Sequence, residues 1–234
     1  MTAPMLKVEN AVKRFGGRIA LDGAHCTVLA GSITGMIGPN GSGKSTLFNC
    51  IAGTDQLDSG EVLLQDKRID RLAPHVVCER GIARTFQLTR LFRDMTVLEN
   101  LVAVAHSYSD RQAVDRARHA LDLLEITELM HRSASELSYG QRKLVEIGRT
   151  LMLEPKLMLL DEPFAGINPR LQNRIVGYLK KLRDEGMTLF IIDHEMRIIL
   201  EVCETVWVLA EGRIVTSGPP AVVRDDPRVI EAYF

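Results

Sequence analysis

The chain has 234 residues, of which 46% are hydrophobic and 25% charged, with a formal net charge of −1. That length suits one large domain with a sizeable core, and the near-neutral balance with few aromatics gives no overall signature of nucleic-acid binding. The four cysteines, Cys26, Cys50, Cys78 and Cys203, stand far apart without a C-x-x-C pair, which suits buried thiols in a reducing compartment better than a metal site.

The N-terminal stretch M-T-A-P-M-L-K-V-E-N lacks an apolar signal core. The best apolar runs, Leu157–Leu160 and Leu189–Ile192, each end at an aspartate, far short of a membrane span. The expectation is a soluble, cytosolic chain that reaches a membrane only by docking to an integral partner.

In chain order, Leu6–Val12 alternates apolar and polar residues as a half-buried strand does, and Ile19–Leu29 suggests a second strand. Phe15 falls in the turn K-R-F-G-G between them. Ser32–Ile37 is an apolar run suited to a buried strand, and Ser45–Ala52 reads as the first turns of a helix. Asp58-Ser59-Gly60 is a turn signal before a strand at Glu61–Gln65. Pro74–Arg80 reads as a short helix, broken by Gly81 before a strand at Ile82–Gln87. Residues 88–150 change character: Asp110–Met130 places Val114, Ala117, Leu121, Leu124 and Leu129 near helical spacing. We read this segment as a helical insertion without linker-like edges. Strand and helix then alternate again: strands at Lys156–Asp161 and Met187–Asp193, helices at Pro169–Glu185 and Glu195–Cys203. A hairpin follows across Glu211-Gly212, then short helices at Pro219–Arg224 and Arg228–Tyr233. Such repetition implies a parallel sheet covered by helices.

Between the apolar run and the helix, residues 38–45 read G-P-N-G-S-G-K-S, the phosphate-loop pattern in its proper context. Gly38, Gly41 and Gly43 let backbone approach phosphates, and the following helix start makes an anion site. Lys44 supplies charge for the outer phosphates and Ser45 a hydroxyl for Mg²⁺. Pro39, Asn40, Ser42 and Thr46 complete the nucleotide-contacting stretch. Downstream, L-M-L-L ends in Asp161 and Glu162. Alone these are two acids at a strand end, but beside a phosphate loop Asp161 suits Mg²⁺ and Glu162 the orientation or deprotonation of an attacking water. Residues 137–141, L-S-Y-G-Q, precede another helical run. Ser138 is suited to cap it, and the helix start also suits an anion.

The phosphate loop, L-S-Y-G-Q, L-M-L-L-D-E, Gln87 after a strand and His194 after I-I-D together resemble the ATP-binding subunit of an ATP-binding-cassette transporter, over essentially the whole chain. The resemblance implies a RecA-like P-loop NTPase α/β core, residues 1–87 and 151–234, with an N-terminal antiparallel β portion and a helical subdomain at 88–150. It further implies ATP with Mg²⁺, and a head-to-tail pair of such domains. Each nucleotide would then lie between one phosphate loop and the partner's signature residues Ser138, Gly140 and Gln141, with Tyr139 where a glycine is usual. Phe15 matches the aromatic stacked on adenine, or is a turn residue tucked into the core. Gln87 matches the Mg²⁺- and water-sensing residue, or is a polar strand end. His194 matches the switch histidine, or is a structural one. Asn168 matches the loop linking the sites, or caps the next helix.

Residues 84–100, E-P-F-A-G-I-N-P and the ending V-I-E-A-Y-F look like the subfamily for branched-chain amino acid uptake. Lipopolysaccharide-export and urea-uptake ATPases resemble these segments as well. The implied partners are a second ATP-binding subunit, transmembrane permease subunits and, indirectly, a solute-binding protein, at the cytoplasmic face of the inner membrane, without nucleic acid. Leu88, Leu91, Phe92, Met95 and Val97 are a docking candidate or core. A soluble relative acting on nucleic acid or ribosomes would commonly carry paired cassettes or coiled insertions, and a GTPase an N-K-x-D motif; this chain has neither.

Overall fold

The computed structural model describes residues 3–86, 90–105 and 108–233. Strands β1 (Pro4–Phe15) and β2 (Arg18–Leu29) form a long antiparallel hairpin, and β1 also pairs antiparallel with β4 (Ser59–Leu64). The two-residue edge strand β5 (Lys67–Arg68) completes a sheet of order β2-β1-β4-β5. The alternation read from Leu6 is interrupted at Asn10. There φ is +48° and the pairing register shifts, so Ala11 rather than Val12 takes the buried side. The strand expected to run through Gln65 ends one residue earlier, because Gln65 and Asp66 both adopt left-handed φ (49° and 60°) and turn the chain into β5. Neither turn residue is a glycine, so composition gave no turn signal.

The second sheet has order β10-β9-β3-β8-β7-β6. Strands β3 (Ile33–Ile37), β6 (Ile82–Arg84), β7 (Leu157–Asp161), β8 (Thr188–Ile192) and β9 (Thr205–Ala210) run parallel; β10 (Arg213–Gly218) pairs antiparallel at the edge. Every residue of β3, β7 and β8 is buried, which is why these strands read as continuous apolar runs rather than alternating ones. One core lies between the two sheets and includes Leu6, Leu21, Met36, Phe48 and Phe190, with the Phe48 and Phe190 rings 5.0 Å apart. The other lies on the opposite side of the parallel sheet.

Helix α1 (Lys44–Ile51) follows the phosphate loop, and α2 (Pro74–Glu79) precedes β6. Helices α3 (Val97–Val102), α4 (Asp110–Leu123) and α5 (Tyr139–Leu151) pack together through Leu101, Ala117, Leu121 and Leu144. The helical period predicted as far as Met130 breaks at Leu124. Glu125 turns left-handed (φ +52°), and Leu129 enters the core from a separate 3-10 turn. Helices α6 (Pro169–Asp184), α7 (Met196–Val202), α8 (Pro220–Arg224) and α9 (Pro227–Tyr233) complete the chain.

The expected docking cluster divides. Val97 is fully buried beneath a Thr96–Glu99 capping box, so it is core. Phe92 (49% exposed) and Met95 (39%) are on the surface, Leu91 is half-buried, and Leu88 lies outside the described residues.

Candidate nucleotide site

The parallel strands bring the candidate residues to one edge of the sheet. Residues 38–43 connect the carboxyl end of β3 to α1, Asp161 closes β7, and Asp193 and His194 follow β8. Crevices at the carboxyl ends of parallel strands are where open α/β sheets bind ligands.

The phosphate loop requires its glycines sterically. A Cβ at Gly38 would lie 2.0 Å from the Leu209 carbonyl oxygen. One at Gly43, where φ is +109°, would lie 2.4 Å from that of Ala20. Lys44 is buried and donates from Nζ to the Gly38 and Pro39 carbonyls at 2.6 and 2.9 Å. Burial pushes its ammonium below the usual lysine range, opposed by the charges of Glu162, Asp193 and Asp161. A cavity of about 320 Å³ is lined by Phe15, Arg18, Ala20, Asn40–Thr46 and Glu162. Phe15 is the last residue of β1 and 49% exposed. It therefore belongs to the cavity wall rather than to the core, and the alternative of a tucked-in turn residue is excluded.

Behind this cavity, the Arg84 guanidinium donates to Asp161 Oδ2 at 2.7 Å and to Asn49 Oδ1 of α1 at 2.6 Å. It stands over the rings of Phe48 and Phe86. The Asp161 amide donates to the Thr85 hydroxyl. The next residue, Glu162, has φ +49°, a conformation that costs a non-glycine residue about 1–3 kcal/mol and clusters at functional sites. The Glu162 amide donates to the Ile192 carbonyl at 2.8 Å, and its own carbonyl accepts from Lys143 Nζ at 2.7 Å. Asp193 is fully buried and accepts from the amides of Phe164 and Glu195; burial raises its carboxyl above the usual range. His194 is half-exposed, with Nδ1 3.5 Å from Asp193.

The remaining candidates gather elsewhere. Ser138, Gln141 and Asn168 line a separate cavity of about 290 Å³ with Arg170, Leu171 and Arg174. Ser138 caps α5 in a capping box with Gln141, the two exchanging bonds of 3.3 and 2.9 Å. Asn168 caps α6 through the Leu171 amide. These capping roles leave both residues exposed at helix starts. A Cβ at Gly140 would lie 2.3 Å from Leu171 Cδ2, the movable end of a partly exposed side chain. Tyr139 covers Gly166, whose φ of +71° leaves no comfortable place for a side chain. Gln87 lies outside the described residues.

A family model for ABC transporters matches residues 21–165, and one for the branched-chain amino acid ATP-binding cassette transporter matches residues 213–234. The chain belongs to the ABC transporter family. The cassette is 36% identical to the high-affinity branched-chain amino acid transport ATP-binding protein BraF of Pseudomonas aeruginosa, covering 100% of this chain and 99% of the relative. It is 39% identical to the probable branched-chain amino acid transport ATP-binding protein LivG of Methanocaldococcus jannaschii, covering 100% and 98%. A nucleotide-free ATP-binding cassette from an ABC transporter superposes with a TM-score of 0.91 at 38% identity, covering 99% of each chain. A dimeric bacterial ABC transporter cassette does so with a TM-score of 0.85 at 26% identity, covering 92% and 99%. As a member, the cassette is a nucleotide-binding, ATP-hydrolysing transporter subunit of a family that dimerises and works with permeases. Among its described residues, no helix is long and apolar enough to cross a membrane.

Among the described residues of the cassette, no group of three or more His, Cys, Asp or Glu side chains could hold a metal ion. Mg²⁺ takes one or two carboxylates together with phosphates rather than an all-protein cage. The hard oxygen donors Ser45 and Asp161 fit that requirement. Sequence reading missed Arg18 in the cavity wall and the buried charges Arg84, Lys143, Glu146 and Asp193. A charged residue gives no periodic signal of burial.

Proposed function

We propose that this cassette hydrolyses ATP at sites shared between two head-to-tail copies or close homologues, and so powers import of branched-chain or related amino acids through permease subunits at the cytoplasmic face of the membrane. The observation that carries the shared site is the division of the candidates into two cavities with no residue in common. Lys44, Ser45, Glu162 and Phe15 line one; Ser138, Gln141 and Asn168 line the other. A single chain offers half of each site. Full-length similarity to proteins named for branched-chain amino acid transport supports the cargo.

In this reading ATP + H₂O gives ADP and phosphate. Phe15 stacks on the base, the loop amides and Lys44 hold the phosphates, and Glu162 orients the attacking water and takes its proton. Ser138 and Gly140 of the opposite copy close over the terminal phosphate. Mg²⁺, held by Ser45 and Asp161 with Gln87, would neutralise charge on the phosphates. His194 reaches the terminal phosphate, and Asn168 links the two sites. Residues 88–150 form the helical subdomain that passes motion from the core, 1–87 and 151–234, to the permease, with Phe92, Met95 and Leu91 at the contact.

The test mixes two inactive variants. Glu162→Gln spoils the site that uses its own phosphate loop, and Ser138→Arg spoils the site on its partner. A mixed dimer restores one intact site, so hydrolysis should return on mixing. Two dead variants that stay dead together would overturn the shared site. Affinity purification from detergent-solubilised membranes should bring down permeases and an amino-acid-binding protein; nucleic acid in their place would overturn the transport role.

A further inference from the structure

We infer that Lys143, on the helix whose first turn carries the signature residues, is a positioning residue that pins the backbone of Glu162 in the left-handed conformation with which it lines the nucleotide cavity. The inference rests on the reading of Glu162 as the general base.

Lys143 is 3% exposed, and a buried ammonium requires a partner. It donates to the Glu162 carbonyl at 2.7 Å, with its ammonium 5.8 Å from the centroid of the Tyr139 ring one turn earlier. Burial lowers its affinity for the proton, and the carboxylates of Glu146, Asp193, Glu162 and Asp161 oppose that. Glu162, at φ +49°, is thus gripped on both sides of its Cα. The Ile192 carbonyl of β8 holds its amide, and Lys143 of α5 holds its carbonyl. A residue in that region stays there only if its surroundings over-determine it, and these two bonds meet the requirement. Glu146, one turn beyond Lys143, fixes a second strand end by accepting the Phe86 amide through Oε1 at 3.0 Å.

The helix that holds Glu162 also carries Ser138. Ser138 and Lys143 are five residues apart, a rigid span of about 7.5 Å along the axis. In the shared-site dimer, a nucleotide of the opposite copy that meets Ser138 therefore acts on the same rod that sets the geometry of Glu162 in this copy. Lys143 is the link between the two sites within one chain.

The test measures single-turnover and steady-state hydrolysis on the full chain. Lys143→Met should lower kcat by about 10- to 100-fold, the effect of a misplaced catalytic group, while KM for ATP stays within about twofold. Lys143→Arg, which keeps a donor, should recover most of the rate. In a Glu162→Gln background, Lys143→Met should slow the residual reaction no further, because its effect runs through the carboxylate already removed. Wild-type kcat in Lys143→Met beside a Glu162→Gln slowed to its residual rate overturns the inference alone, whereas wild-type rates in Glu162→Gln overturn the general-base reading beneath it. Additive slowing in the double variant, or no rescue by Lys143→Arg, assigns Lys143 to packing and also overturns the inference. Should Lys143→Met fail to fold, Lys143→Leu, which also removes the donor, carries the same comparison.

Discussion

Arg84 and Asp161 form a buried ion pair, with side chains 10% and 5% exposed and 2.7 Å between Nη2 and Oδ2. Arg84→Met keeps roughly the same length between the rings of Phe48 and Phe86 but leaves the Asp161 carboxylate without its counter-charge. Removing one partner of a buried pair costs about 3–5 kcal/mol, and the lost bond to Asn49 is a further net cost of about 1 kcal/mol. The methionine offsets part of this, because it also removes Arg84 Nε, a buried donor without a partner among the described residues. A net loss of about 3 kcal/mol is expected. In a chain of this size, that corresponds to a fall in Tm of about 6–12 °C. The double variant Arg84→Met/Asp161→Asn should regain most of the loss, since no unpaired carboxylate remains. Urea unfolding of the nucleotide-free protein, followed by circular dichroism, measures Arg84→Met, Asp161→Asn and the double variant. A loss below about 1 kcal/mol in Arg84→Met, or a double variant equal to the sum of the singles, would refute the pairing argument.

Three further outcomes follow from the site. Glu162→Gln should bind ATP and accumulate as an ATP-dependent dimer, seen as a doubled mass by light scattering; a monomer in saturating ATP would count against it. Phe15→Ala should weaken binding of a fluorescent ATP analogue by the stacking contribution of about 1–3 kcal/mol, roughly 5- to 150-fold, and unchanged affinity would remove Phe15 from the base. Gly43→Ala should abolish nucleotide binding while leaving the fold intact by circular dichroism, because the new Cβ meets the Ala20 carbonyl at 2.4 Å; full binding would show that the loop tolerates the displacement.

What could be read from the sequence was whatever obeys a local rule. Fully buried strands such as Leu157–Asp161 and Thr188–Ile192 declare themselves as apolar runs. The phosphate loop declares itself because close backbone approach needs glycine at fixed places. Helix starts at Ser138 and Asn168 follow from their side-chain oxygens. Features set by tertiary contact were hidden. The bulge at Asn10, the Gln65-Asp66 turn and the break at Glu125 put non-glycine residues in left-handed conformations that composition does not announce. The charges at Arg84, Lys143 and Asp193 are tolerated inside only because distant backbone groups or side chains meet them. Capping explains Ser138 locally, and its placement in a cavity apart from the phosphate loop was likewise hidden from the sequence.

The separation of the two cavities has a kinetic consequence. If neither cavity is sufficient, the turnover of each free chain should rise with protein concentration, because two molecules must meet before either works. Anchoring two copies on one permease replaces that encounter with an effective concentration in the millimolar range for short tethers. The membrane partner would then govern activity without touching a nucleotide, and a cassette released from it would idle rather than waste ATP.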